Sequence, residues 1–420
     1  MDRAHRHIFA VLFFSLFTAV TGVGIVVPLL PVYALHMGAG GFLVGMIFGV
    51  FSLSRTLFLP IFGRASDRHG RKPFIVAGLL GYGLVSLMFM GAGSVETLIG
   101  IRFLQGIASA MMMPVIQAYV GDITPPGKEG FTMGIFNISM FMGLSLGPLL
   151  GGLLGDRFSL RSAFGAMGVL ALVGVVACAI WLPPTRSEAG LRQPAEPVAW
   201  RRILGDGEMA ALASFRLAYA ACIGIIWGFL PVYADARFGL SGAGIGVLVT
   251  CGVLVSGIIQ APMGYLADRV HKGGLVLLGG IVVAGAVSAY LGAQGFGGLL
   301  LASGLFGMGG GVAMPALMGL AVRKGQEVRA MGSVMALLTV AHSVGMLAGA
   351  LLAGLMMDTL GLRMAFPMGS GLMVLALGMF CLGMARGRRG KTSLQQGHGP
   401  PAERLSSPAL PRRPEPPLQD

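Results

Sequence analysis

Charge is scarce in this chain, and acid scarcer still: only 11% of its 420 residues are charged, with 17 Asp and Glu against 30 Lys and Arg. A soluble domain carries about 25% charged residues. With 55% hydrophobic residues and a mean hydropathy of +0.80, most of the length must be buried in something other than a small core of its own. That something is lipid. The few acids lie at helix ends, in loops or in the termini, with Glu96 and Asp235 coming closest to mid-membrane depth. Cys178, Cys222, Cys251 and Cys381 all fall inside apolar runs with no CxxC spacing, so neither a disulfide framework nor a zinc site is indicated. No GxxxxGK[ST] loop or soluble nucleotide domain is present, which argues against an ATP-driven pump. No catalytic constellation appears, so an enzyme is not expected, and neither a metal nor a cofactor.

What the chain has instead is apolar runs of about 20 residues, the length that crosses the hydrocarbon layer of a bilayer. They fall near 8–34, 42–63, 73–92, 95–121, 131–155 and 163–183, then 209–234, 242–264, 274–292, 296–321, 331–357 and 363–385. Six plus six predicts an all-α integral membrane protein of twelve transmembrane helices. The run from Ile8 to Tyr33 is span-length and contains Pro28 and Pro31, unlike a secretory signal, so the first helix is expected to be retained. Residues 1–183 then make one six-helix bundle and 209–385 a second. Between them, 184–208 mixes Pro, Arg, Gln and Glu and reads as a cytoplasmic linker with one short surface helix around Trp200 to Leu204. Residues 386–420 turn basic and then proline-rich, too polar to bury a core, and are expected to form a disordered cytoplasmic tail whose basic start touches anionic lipid.

The formal charge of +13 suggests nucleic acid until its distribution is considered. Arg157, Arg161, Arg237 and Arg363 occupy one set of alternate loops, and Arg55, Arg102 and Arg216 lie inside helices; every other Lys and Arg falls in the termini or the other set of loops. Basic loops stay cytoplasmic, so both termini are expected inside an inner (plasma) membrane. Nucleic acid is not needed to explain the charge.

The chain is also duplicated. Gly63-Arg64-Ala65-Ser66-Asp67-Arg68-His69-Gly70-Arg71-Lys72 returns as Gly264-Tyr265-Leu266-Ala267-Asp268-Arg269-Val270-His271-Lys272-Gly273, with the aspartates 201 residues apart. The same offset relates Gly45 to Gly246, Gly106 to Gly307 and Pro114 to Pro315. Parallel halves of this kind form transporters in which a central site opens alternately to either side. Within the repeated segment, Gly63 would let a neighbouring helix approach closely, Asp67 puts an acid at the membrane boundary, and Gly70-Arg71-Lys72-Pro73 makes a basic turn. A topogenic hairpin held by positive charge is the plainer reading.

Two further segments carry chemistry. A guanidinium more than a turn into a membrane helix costs about 2.5 kcal/mol or more unless it meets water or partners, so Arg102 should point inward. Arg102, Gly106, Ser109, Met113 and Gln117 share one helix face, suited to a cavity wall, with Gln105 beside it. The alternative is a structural arginine tied to carbonyls of helix 1. In helix 5, Gly143, Gly147, Gly151 and Gly152 make a smooth face and Pro148 a kink; close packing in any membrane helix would use the same residues. The counterpart in the second half keeps Gly345 and Gly349 but has Met346 where the proline stood.

Taken together, the duplicated Asp67 and Asp268 segments and the six-plus-six count resemble the loop signature of the major facilitator superfamily over residues 8–385. Gly147-Pro148 with Gly151-Gly152, the Arg102 to Gly106 spacing and Gly24 to Pro31 are similar to its 12-helix drug:proton antiporter branch. The resemblance implies two pseudo-symmetric six-helix bundles. It further implies that Asp67 meets the start of helix 11 at Met331-Gly332, that Arg71 pairs with Asp122, and that the bent face of helix 5 packs across the halves. Gly63, Asp67, Arg68, Gly70, Arg71, Asp122, Asp268, Arg269 and Arg102 would then form the conformational switch and coupling machinery, worked by protonation of the acid.

The lack of mid-membrane acids departs from exporters of cationic drugs. The cleft has Arg55, Arg102 and Arg216 with the neutral Gln105, Gln117, Asn137 and Gln260, and points to a neutral or anionic amphiphile. Met113 and the aromatics Phe48, Phe51, Tyr219, Trp227 and Phe306 would line it, although each aromatic also suits core or lipid packing. Arg216 sits close enough to the cytoplasmic end to snorkel instead. His342 would titrate near neutral pH if open to water, and is otherwise a hydrogen-bonded core histidine. The expected function is proton-coupled efflux of hydrophobic small molecules by alternating access, driven by the proton gradient with lipid, substrate and protons as the partners of a single chain. Uptake of a small organic anion is the alternative, and a non-transporting receptor or assembly factor a third reading.

Overall fold

The computed structural model describes residues 3–125, 129–183, 205–328 and 330–396. Among them are twelve long helices, one short 3-10 turn and no strand. The first six are α1 (Arg3–His36), α2 (Gly41–His69), α3 (Arg71–Met90), α4 (Val95–Asp122), α5 (Glu129–Arg157) and α6 (Leu160–Trp181). The second six are α7 (Gly207–Phe238), α8 (Gly242–Arg269), α9 (Lys272–Gly292), α10 (Phe296–Glu327), α11 (Met331–Leu360) and α12 (Ala365–Gln396). All twelve contain a stretch long and apolar enough to cross a membrane.

The helices overrun the apolar runs that announce them. α2 continues past residue 63 to His69 and so carries Asp67 and Arg68 on its last turn, while α12 continues past 385 to Gln396. The remainder of the tail, and residues 184–204 of the linker with the expected surface helix, lie outside the described residues. Starts are set by polar side chains that accept otherwise unpaired backbone N–H groups: Ser94 accepts from Thr97 N, Ser159 from Ser162 N, Ser241 from Gly244 N and His271 from Gly274 N. Gly70 joins α2 to α3 at φ 89°, a conformation costly for any residue with a Cβ. The second copy of that turn does without it: Val270 and His271 are extended, and the His271 imidazole does the capping.

Packing repeats along with sequence. In the first half α1 lies against α5 and α6, α2 against α4, and α3 against α4 and α6; in the second, α7 lies against α11 and α12, α8 against α10, and α9 against α10 and α12. The halves meet chiefly through α2 on α11 and α5 on α8, two contacts exchanged by the same twofold relation. Large apolar side chains such as Leu57, Ile61, Leu84, Leu87, Ile258, Ile281, Leu375 and Leu382 are exposed. A soluble protein would bury them; a membrane protein presents them to lipid tails.

Buried hydroxyls are returned to backbone carbonyls, as apolar surroundings require. Ser86 donates to Phe164 O and Ser139 to Phe13 O.

Candidate functional site

The end of the bundle where α1 begins is termed proximal here, and the opposite end distal. At the distal end the halves are locked together by two carboxylates. Asp358, near the end of α11, accepts from the Gly41 and Phe42 amides at the start of α2, at 2.6 and 2.8 Å. Asp156, at the end of α5, accepts from the Gly242 and Ala243 amides that open α8, at 2.9 and 2.7 Å. Each carboxylate thus spans two unpaired N–H groups at the positive end of a helix dipole, the arrangement in which helices bind anions. Small residues allow the approach: a Cβ added at Gly41 or Gly45 would strike the Gly354 or Ala350 backbone, and one at Gly152 or Gly246 the Gly242 or Pro148 backbone. Thr250 Oγ1 donates to Ser145 O at 2.6 Å, joining α8 to α5 one layer deeper. Neither aspartate was singled out from sequence. The available signal was an acid in the last turn of two helices related by the duplication, 202 residues apart.

The proximal end is built differently. Arg71 Nη1 lies 2.5 Å from Asp67 Oδ1 and donates to Ser66 Oγ at 2.9 Å, while its Nε reaches Asp122 Oδ2 at 3.2 Å. The Arg71 to Asp122 pair is as the resemblance implied. Among the described residues no hydrogen bond joins Asp67 to the start of α11, and nothing lies within 4 Å of where a Gly332 Cβ would be. Nor does any helix crowd Gly63, where a Cβ would also meet open space.

In the second half Lys272 pairs with Asp268 at 3.3 Å, as Arg71 does with Asp67, and Arg269 stacks over Tyr265 at 4.1 Å. Here the duplication breaks, because the residue matching Asp122 is Arg323. The last turns of α10 are tied instead to the start of α7. Arg323 bonds Glu208, and buried Lys324 reaches Asp206 at 2.6 Å, Glu327 at 3.5 Å and Glu208 at 3.8 Å. Burial alone would raise the Asp206 carboxyl, but the Lys324 ammonium and the Met209 and Glu208 amides outweigh it and hold it below the ordinary range. A cavity of about 660 Å³ beside this cluster is lined only by second-half residues, among them Glu208, Asp268, Lys272 and Arg323.

Arg102 is 4% exposed. Its Nε donates to Ile47 O at 3.0 Å, its Nη1 to Gln105 Oε1 at 2.6 Å, and the guanidinium lies 4.5 and 5.2 Å from the Phe51 and Phe48 ring centres. It therefore ties α4 to a carbonyl of α2 rather than of α1, and its charge is satisfied by protein. Gln105 is fully buried with it and does not line an open cleft. Met113 packs against the core of the first half, whereas Gln117 and Asn137 are exposed.

The helix 5 motif divides its work. Gly143, Gly147 and Gly151 pack on α1, where added Cβ atoms would meet the Phe17, Thr21 and Ile25 carbonyls, and only Gly152 and the Pro148 carbonyl face α8 of the other half. This corrects the expectation that the whole face packs across the halves. Gly345 and Gly349 of α11 repeat the arrangement against the Leu217 and Ala221 carbonyls of α7.

The remaining cleft residues fall into two groups. Tyr219 and Phe306 stack 5.8 Å apart at 9°, and both belong with Trp227 to the apolar core of the second half; Gln260 donates to Ser256. Arg55, Arg216 and His342 are different. Among the described residues Arg55 Nε, Arg216 Nε and His342 Nδ1 are buried without a hydrogen-bond partner, and Arg216 Nη1 donates to Met314 Sδ at 2.8 Å.

A family model described as Major Facilitator Superfamily matches residues 12–237 and 212–414. An uncharacterized MFS-type transporter of Methanocaldococcus jannaschii is 26% identical over 370 residues, 86% of this chain and 94% of that protein. Multidrug resistance protein 2 of Bacillus subtilis is 26% identical over 293 residues, 68% of this chain and 72% of its own. Among solved structures, that of the nucleoside transporter NupG superposes with a TM-score of 0.76 at 12% identity, covering 90% of this chain and 99% of NupG.

Proposed function

The chain belongs to the major facilitator superfamily, a family of transporters rather than enzymes, and from that premise we propose that it exports hydrophobic or amphiphilic small molecules in exchange for protons. The single observation that carries an alternating mechanism is the one-sided clamp: twofold-related acids join the halves distally, while among the described residues no matching bond joins Asp67 to the start of α11. With both termini in the cytoplasm of a cell bounded by a plasma (inner) membrane, as the basic loops indicate, this arrangement faces inward. Closing the proximal end brings Asp67 to the start of α11, and releasing Asp156 and Asp358 opens the distal end. Protonation weakens a carboxylate's hold on a helix terminus, which supplies a route from the proton gradient to the direction of opening. One chain contributes both sides of the cleft, so the monomer suffices. The multidrug resistance relative favours export of apolar compounds.

The test is reconstitution into proteoliposomes with an imposed pH gradient and a panel of structurally unrelated fluorescent substrates. Ionophore-sensitive movement of several of them against their gradient is expected. Accumulation of one carboxylate alone would favour the second reading, anion uptake, for which Arg55 and Arg216 are the specific observation. No flux of any solute would remove the transport reading.

A further inference from the structure

The helix contacts already described set a register. Along α2 and α11, which run antiparallel, Gly41 meets Gly354, Gly45 meets Ala350, Gly49 meets Leu347, and Ser52 Oγ donates to Met346 Sδ at 3.9 Å. One further turn brings Arg55 level with His342. Along α7 and α11, which run parallel, Gly349 meets Ala221, Gly345 meets Leu217 and Gly224 meets Met346, so Arg216 lies within one turn of the level of the same histidine. Arg55 and Arg216 both act electrostatically on the His342 imidazole. All three lie about 14–21 Å from the proximal helix ends at about 1.5 Å per residue, near mid-membrane depth.

This cluster is positive and uncompensated. Among the described residues no carboxylate forms an ion pair with Arg55 or Arg216, and the nearest polar neighbour of Arg216 is a thioether. Arg102 shows what this chain does with an arginine meant only to hold helices together: it gives it a carbonyl, an amide and two aromatic faces. Arg55 and Arg216 have been given none of these. Arg55 and Arg216 are only half-buried, but each has an enclosed Nε with no partner; a guanidinium at this depth is unfavourable unless something negative reaches it.

We propose that Arg55 of the first half and Arg216 of the second, with His342 between them, form a binding site for the anionic head of an amphiphilic organic acid. The guanidinium fork matches a carboxylate in shape and bonds it with two parallel N–H donors. Tyr219, one turn from Arg216 on α7, is buried in a stack with Phe306 that makes the wall beside the site apolar. An anion held by both halves couples them, and its loss uncouples them. The proposal rests on the transporter reading for its consequence but not for its test, which is equilibrium binding.

The test uses the full chain in nanodiscs and three probes alike but for the head: 4-butylbenzoate, 4-butylbenzamide and 4-butylbenzylamine, followed by calorimetry and by ligand-induced shifts in Tm. The benzoate is expected to bind and to raise Tm, and the benzylamine to do neither. R55Q and R216Q should each weaken the benzoate by about tenfold or more, R55K and R216K by less. Because each Gln substitution removes an unpaired charge, the ligand-free Tm should hold or rise, which separates loss of the site from misfolding. Equal binding of the amine or amide, or benzoate binding unchanged in R55Q and R216Q, would overturn the proposal. So would inorganic phosphate binding as tightly at the same arginines, or a phospholipid that copurifies with the wild type and is lost from R55Q. Absence of flux with benzoate binding intact would count against transport alone.

Discussion

Replacing Asp358 by Asn tests the distal clamp with the least change of shape. The carboxylate accepts from two amides, Gly41 N at 2.6 Å and Phe42 N at 2.8 Å, at the positive end of α2. Asn keeps one acceptor and loses the charge. A negative charge at a helix start is worth about 0.3–1 kcal/mol, rising to about 2 in partly buried geometry. The clamp is partly exposed, so about 1–2 kcal/mol is expected for the lost charge and acceptor together. At 1.4 kcal/mol per decade that shifts the ratio of distally closed to distally open molecules by about 5–30-fold. D358E, which retains the charge, should shift it less. Spin labels on cysteines at Phe158 and Leu360, both exposed at the distal end on opposite halves, report the ratio as short and long distances once Cys381 is replaced. The long-distance population should grow in D358N and again in the D156N/D358N double variant, which removes both clamps. An unchanged distance distribution in the double variant would refute the reasoning, because it would mean the apolar contacts of α2 with α11 and α5 with α8 hold the distal end without the acids.

Three other outcomes follow from the same geometry. D67N should cripple transport at near-normal abundance in the membrane and favour the distally closed state, since it removes a proximal contact absent from this arrangement; equal activity would remove the switch role. R102A should lower Tm and abundance, because it strips Ile47 O and Gln105 of their partner, and a stable variant with altered pH dependence of flux would mean the residue couples protons instead. Asp206, held below its unfolded pKa of about 4, contributes stability above that value that is lost as pH falls through the lower folded pKa. Melting curves from neutral pH downward should therefore fall less steeply for D206N than for the wild type, and parallel curves would argue against the role of Asp206.

Much of this was legible in the residues because duplication leaves a numerical trace. The apolar runs of span length placed twelve helices, the 201-residue offset paired Asp67 with Asp268, and the resemblance carried the Arg71 to Asp122 pair. The clamps were not legible, for a physical reason: the partner of Asp156 or Asp358 is a pair of backbone amides, which any residue supplies, so no second side chain marks the contact. Arg102 was misjudged for the opposite reason. Its depth in the membrane demands a partner, but sequence cannot distinguish a cleft from the Ile47 carbonyl, which is delivered only by packing of α2 on α4. The Lys324 cluster was readable and passed over: the offset that matches Asp122 with Arg323 inverts the charge, and an inverted charge must find its acid elsewhere, here at Asp206 and Glu208.

The twofold relation also bears on the energies a transporter needs. Alternation requires the two closed states to lie within a few kcal/mol of each other, so that a ligand of modest affinity can tip the balance. Clamps of unrelated chemistry at the two ends would meet that condition only by coincidence. Here the distal clamps are carboxylates on the starts of α2 and α8. In the proposed proximally closed state the duplication would set Asp67 against the start of α11 and Asp268 against the start of α5, the same chemistry at the proximal end. Equal numbers of like contacts are broken and made as the halves rock, and most of their energy cancels. On the proposed anion site, what would not cancel is the charge at mid-depth, where Arg55 and Arg216 would repel until an anion lies between them. On these proposals the acids at the helix ends would keep the states nearly equal in energy, and the cleft arginines would leave the choice between them to the bound molecule.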